Sequence, residues 1–141
     1  MGKQKIKLLS LFLLIMLGSS ASVLQQDSNE IISKSAEALQ NGDAVNLAKY
    51  FYKTIEIDML GEENFYSQAQ SVQLLKNFFE KNKPVKFAVS HQGAKETSAF
   101  AIGQLQTKGN TFRISIFLKS DGSQFFIHQL RIEQDEEGNG I

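Results

Sequence analysis

The stretch Thr111–Glu133, TFRISIFLKSDGSQFFIHQLRIE, reads as two strands joined by a short turn. Apolar and polar residues alternate on either side of Asp121-Gly122, the period-two pattern of half-buried strands. Turn length decides which residues face the core, because a one-residue slip in register inverts every side chain. A two-residue Asp121-Gly122 loop would pair Leu118 with Phe125 and leave both faces half apolar and half charged. A three-residue loop, Ser120-Asp121-Gly122, puts glycine in the left-handed bulge position and pairs Ile114 with His128. Phe112, Ile114, Ile116 and Leu118 then share a face with Phe126, His128, Leu130 and Ile132. The longer loop is therefore expected, with His128 pointing inward. On the other face Phe117, Phe125 and Ile127 cluster between Arg113 and Lys119. An apolar patch rimmed by charge suggests a partner surface, here a homodimer contact through the outer side of the sheet.

The preceding segments VKFAVSHQ (Val85–Gln92) and SAFAIGQLQT (Ser98–Thr107) are strands of the same kind, separated by GAKE and KGN. Phe87, Val89 and His91 are in phase, so the second histidine is also expected to face inward. Further upstream the period changes. Asp27 and Glu30 form a capping pair for a helix through Leu39, with Ile32, Ala36 and Leu39 on one stripe. Asn41-Gly42 stops it, and Asp43 caps a second short helix through AVNLAKYF, read as carrying Tyr50 and, directly after that stretch, Tyr52. KTIEIDML (Lys53–Leu60) alternates as a strand, and GEEN reads as a turn. Ser67 and Gln70 make a capping box for a third helix, which ends at Asn82-Lys83-Pro84. The expected class is α+β: two helices, a strand, a third helix, then an antiparallel meander forming a bent sheet wrapped on the helices.

The first residues read as a processing signal. MGKQKIK is basic, Leu8–Leu17 is an apolar run of ten, and Ser19 and Ala21 supply small residues for cleavage after Ala21. Ten apolar residues cover only about half of the ~30 Å hydrocarbon layer, so a membrane-spanning anchor is not expected. A periplasmic or secreted location follows, with no membrane attachment after cleavage. The remaining 120 residues make one domain, 22–133, followed by a tail, 134–141, expected to be disordered. Removing three lysines leaves twelve basic against fifteen acidic residues, a balance that argues against a nucleic-acid partner. The absence of cysteine excludes disulfides, thiolate metal sites and a lipidated N-terminus.

The order of elements resembles the nuclear-transport-factor-2-like (cystatin-like) fold. FYSQAQSVQLLKNFFEKNKPVKFAVSHQG (Phe65–Gly93), AIGQLQTKGNTFRISIFLK (Ala101–Lys119) and IHQLRIE (Ile127–Glu133) more closely resemble the domain-of-unknown-function 4783 family of small exported Bacteroidetes-type proteins. The resemblance implies a cone-shaped interior and an exported domain; it brings no activity with it. An isomerase of the ketosteroid type would need a carboxylate base and an acid pair inside an apolar pocket. Asp58 shares its strand face with Glu56 and reads as solvent-facing, and the late strands offer no inward acid. No catalytic residue, metal site or cofactor is therefore expected. Tyr50, Tyr52, His91 and His128 are the candidates for lining a ligand pocket, with satisfied core filling the alternative for the two histidines. The reading is a non-catalytic domain that binds a small apolar ligand, a peptide or a protein; a pocket enzyme of the isomerase or cyclase type is the alternative.

Overall fold

The computed structural model describes residues 21–136, so the expected signal segment up to residue 20 and the end of the acidic tail lie outside the described residues. Two helices, α1 (Ala21–Asn41) and α2 (Ala44–Ala48), lead into strands β1 (Phe51–Met59) and β2 (Glu62–Ser67). Helix α3 (Gln68–Lys81) follows, then β3 (Pro84–Lys95), β4 (Ser98–Thr107), β5 (Thr111–Ser120) and β6 (Phe125–Gln134). The strands form one six-stranded sheet in the order β2-β1-β6-β5-β4-β3. Neighbours run antiparallel except β1 and β6, which are parallel. The helices cover one face only, the expected α+β arrangement. No helix among the described residues is long and apolar enough to cross a membrane.

Several boundaries follow the local chemistry read from the sequence. Asp43 caps α2 by accepting the Asn46 amide N–H at 3.0 Å. Ser67 and Gln70 form a reciprocal box at the start of α3, with bonds of 3.2 and 3.0 Å. Gly42 ends α1 at φ 64°. Other boundaries differ. Helix α1 runs through Asp27, so the Asp27–Glu30 capping pair is not used as a start. Helix α2 is shorter than expected: Tyr50 sits in the turn after it and Tyr52 already belongs to β1. The segment read as the turn GEEN lies mostly inside β2, because the chain turns earlier, at Leu60-Gly61. Both have positive φ, 56° and 91°, as in a type I′ hairpin, and the Asp58 carboxylate accepts the Gly61 N–H at 3.0 Å. Gln134, assigned to the tail, still belongs to β6.

The decisive correction concerns the β5–β6 hairpin. Ser120 pairs with Phe125, so the loop holds four residues rather than three. The Asp121 carboxylate organises it, accepting the backbone N–H of Ser123 and Gln124 at 2.9 and 3.0 Å and the Ser123 hydroxyl at 2.9 Å. These bonds hold the Asp121 carboxyl below the usual carboxylate range. The longer loop would have inverted all of β6, but a bulge restores the phase. Leu118 pairs with Ile127 and Phe117 with Gln129, leaving His128 as the extra residue. Phe125 and Ile127 therefore face the core, 2% and 0% exposed, and so do Leu130 and Ile132 beyond the bulge. Phe126 and His128 do not. A second bulge, between Val89 and His91 on β3, turns His91 outward in the same way.

Candidate functional site

A cone-shaped interior invites a ligand, so the filling of the concave face is the first question. Leu105, Ile114, Ile116 and Leu118 from the sheet meet Leu39, Leu47 and Leu75 from the helices, and none is more than 1% exposed. A side chain lining a water-sized cavity would keep accessible surface, so these residues border none. Phenylalanines close the wider parts of the cone. The Phe78 ring packs edge-on against Phe79 and Phe112, with centroids 5.7 and 5.0 Å apart. The concave face is core.

The four residues expected to line a common pocket are dispersed. Tyr50 accepts the Ile127 N–H on its backbone carbonyl at 2.8 Å and borders two shallow clefts beside α1, of about 260 and 270 Å³. Tyr52 stacks on His128 across the β1–β6 bulge, ring centroids 4.4 Å apart and planes 20° apart, with Phe126 edge-on to Tyr52 at 5.7 Å. His91 lies at the other edge of the sheet, its Nδ1 3.2 Å from the Ser90 hydroxyl, in an open groove of about 600 Å³ shared with Ile102 and Arg113. His91, Tyr52 and His128 lie on the side away from the helices. Of the expected interface residues Phe117 alone is exposed there; Phe125 and Ile127 are corrected to core.

That outer side has an order of its own. In register, Phe65 of β2 pairs with Glu56, Glu56 with Gln129, Gln129 with Phe117, Phe117 with Phe100, and Phe100 with Gly93. One cross-strand row thus spans all six strands and carries three exposed phenylalanines: Phe65 at 71%, Phe100 at 38% and Phe117 at 37%. Phe65 and Phe100 escape a sequence reading because a lone aromatic in a strand carries no sign of its neighbours; only the register aligns them. Polar groups in and beside this row interact. The Asp58 carboxylate lies 3.4 Å from Arg131 Nε, and Glu56 accepts from the Gln129 amide at 3.3 Å. Glu56 also hydrogen-bonds Glu63, which with burial and the like charge of Glu63 raises its carboxyl above the usual carboxylate range. That carboxyl lies on an open sheet face, not in an apolar pocket where it could serve as a base. Among the described residues no group of three acidic or histidine side chains could hold a metal ion.

His128 is shifted in the opposite sense. Burial under its neighbours, then the charge of Lys119, lowers its imidazole below the ordinary value. The unfolded chain consequently binds more protons than the folded one between the depressed value and about 6.5. The contribution of His128 to stability is present above about pH 6.5 and is lost as the pH falls through that window. His128→Gln should flatten the fall in urea midpoint between pH 7 and pH 5 relative to wild type. An unchanged slope would mean that the ring does not titrate differently in the fold.

The comparisons with known proteins agree with this architecture and stop short of a function. No curated protein matches the chain. A protein of the DUF4783 family from Bacteroides ovatus is 32% identical, superposes with a TM-score of 0.70, and is matched over 73% of this chain and 94% of its own. Another from Bacteroides uniformis is 26% identical with a TM-score of 0.71, over 74% and 96% of the two chains. An NTF-2-like protein of unknown function from Silicibacter pomeroyi, 13% identical over 82% of this chain and 99% of its own with a TM-score of 0.58, shares the fold alone. The family model described as "Domain of unknown function (DUF4783)" matches residues 32–133, from α1 to the penultimate residue of β6, and the chain belongs to that family.

Proposed function

We propose that this chain is an exported, non-catalytic binding domain whose working surface is the outer face of its sheet and whose partner is a protein. One observation carries the reading. The concave face, where this architecture would hold a small molecule, is filled with side chains, while three phenylalanines stand in one row on the uncovered face. Exposed aromatic side chains gain from a partner that removes them from water. The basic, apolar and small-residue segments at the N-terminus support export, with maturation after Ala21.

Phe117 is the residue to test, being central in the row and exposed. Phe117→Asp should leave folding stability within roughly 0.5 kcal/mol, because the site is at the surface. In a complex it would bury an unpaired charge. Protein recovered from the exported fraction, with Ser22 at or next to its N-terminus, should associate at micromolar concentration in sedimentation velocity, and Phe117→Asp should not. Equal sedimentation of the two as monomers, with no other protein that the wild type retains and Phe117→Asp loses, would defeat the reading, and so would recovery of the wild type with residues 1–21 retained in a membrane fraction.

A further inference from the structure

We infer that the groove beside Phe100 and Phe117 is a site for a small amphiphilic anion, an aryl or alkyl carboxylate. The inference goes beyond the reading of the outer face as a protein-binding surface, since it gives one end of that face a ligand of its own. The groove, of about 520 Å³, crosses β3, β4 and β5 at the end nearest the β3–β4 turn. That volume falls within the roughly 300–1,000 Å³ of small-molecule sites. Its form follows from the register. Phe100 pairs with Gly93 and Phe117, which sets two exposed rings in one wall. Two residues along, Ser98 pairs with Lys95 and Lys119, which form the other wall. Between the walls Ala99 and Leu118 turn their side chains into the core, so the floor is backbone. Rows two residues apart on a strand are separated by about 7 Å, room for one alkyl chain or one ring. Gly93 makes space for the Phe100 ring, whose Cε1 would lie 2.8 Å from a Cβ there. The ring thus leans over β3 and carries the aromatic wall across to the edge strand.

The second observation is uncompensated charge. Neither Lys95 nor Lys119 has a carboxylate within ion-pair distance; the ion pairs among the described residues are Lys34–Glu37 and Arg131–Asp58. Strands β3, β4 and β5 contain no acidic residue. The acids nearest in sequence are Glu96, directly after Lys95, and Asp121, whose carboxylate accepts the N–H groups of Ser123 and Gln124. The two lysines flank Ser98 at about one strand spacing, 4.8 Å, on either side, and their flexible stems bring both ammonium groups within reach of one anion above its hydroxyl. A carboxylate held there lays its apolar part against Phe100 and Phe117, 38% and 37% exposed, and removes them from water. A small hydrophilic anion would meet the charges without using the rings. A cationic amphiphile would meet the rings and be repelled by the lysines.

Decanoate is the probe, titrated below its micelle-forming concentration into the isotope-labelled protein as purified, with no partner protein present. A dissociation constant on the order of 0.1–1 mM is expected, with amide NMR shifts centred on Ala94, Ala99 and Leu118. The double variant Lys95→Gln, Lys119→Gln alters two exposed side chains, so it should keep the fold and weaken decanoate at least about fivefold. Phe100→Ala, also at the surface, should weaken it as well. Acetate and decyltrimethylammonium at the same concentration should leave the three amides unmoved. An equal response to acetate would mean an adventitious ion only, and an equal response to decyltrimethylammonium an unselective apolar patch; either overturns the proposal. So would decanoate shifts centred on the core residues Leu105 and Ile114, or decanoate binding that the double lysine variant retains in full. The two readings of the face fail separately. Decanoate binding by a chain that associates with no protein defeats the protein partner alone, and association through Phe117 without decanoate binding defeats this site alone.

Discussion

Gly103→Ala should destabilise the protein by about 3 kcal/mol, while Gly93→Ala, the other glycine of the same hairpin, should cost less than about 1 kcal/mol. Neither residue has a positive φ, so conformational freedom is not the reason for either. A Cβ on Gly103 would lie 2.5 Å from the Ala88 carbonyl oxygen and 2.6 Å from Phe87 Cζ. The carbonyl belongs to the paired strand β3, and Phe87 is a core residue; moving either disturbs the ladder or the packing. A Cβ on Gly93 would meet only the far edge of the Phe100 ring, at 2.8 Å, and that ring is exposed and can swing away. Urea unfolding of the two variants measures the difference. Equal midpoints would mean that the close packing of Phe87 over Gly103 does not govern the hairpin.

The contrast shows what a sequence displays and what it conceals. Both glycines stand out in the sequence, at His91-x-Gly93 and Ile102-Gly103, yet nothing in the letters distinguishes a backbone wedged against a carbonyl from one beneath a mobile ring. The class of fold was legible because amphipathic periods, the Ser67–Gln70 box and the Asp43 cap all act locally. Strand β2 was not. Its residues are exposed or half-buried throughout, so an edge strand leaves no alternation to read, and the turn that creates it places Leu60 at a positive φ that sequence does not announce.

The candidate site suffered more, for a reason rooted in register. Face assignment in β6 depended on loop length and assumed an unbroken ladder, and both assumptions failed together. The Asp121 carboxylate stabilises a four-residue loop by gathering three donors, and the bulge at His128 then compensates for the extra residue. Core positions past the bulge, Leu130 and Ile132, came out as expected because two phase errors cancel. Those between the loop and the bulge came out inverted, which moved Phe125 and Ile127 into the core and His128 out of it. Phe117 kept its place because β5 pairs with β4 through an unbroken register.

Phe112→Ala should remove about 3–5 kcal/mol of stability, a large share of the ~5–15 kcal/mol typical of a domain. Phe112 is buried on β5, opposite Leu105 and edge-on to the Phe78 ring of α3, and so bridges the sheet to the helix layer. Its truncation loses the transfer free energy of the ring and leaves a void bounded by Phe78 and Leu105. That void carries the functional argument. An apolar cavity of this kind stays dry and accepts an aromatic probe such as benzene. Calorimetry with saturating benzene should therefore raise the melting temperature of Phe112→Ala and leave that of the wild type unchanged, since a ligand that binds only the folded state stabilises it. A comparable rise in the wild type would reveal room in the concave interior and return the pocket reading to contention. No rise in either would mean that the helices collapse onto the sheet when the ring is removed, and the loss of stability should then fall toward the lower end of the range. In each case the interior is held by phenylalanine packing rather than by a ligand, unless the wild type itself responds.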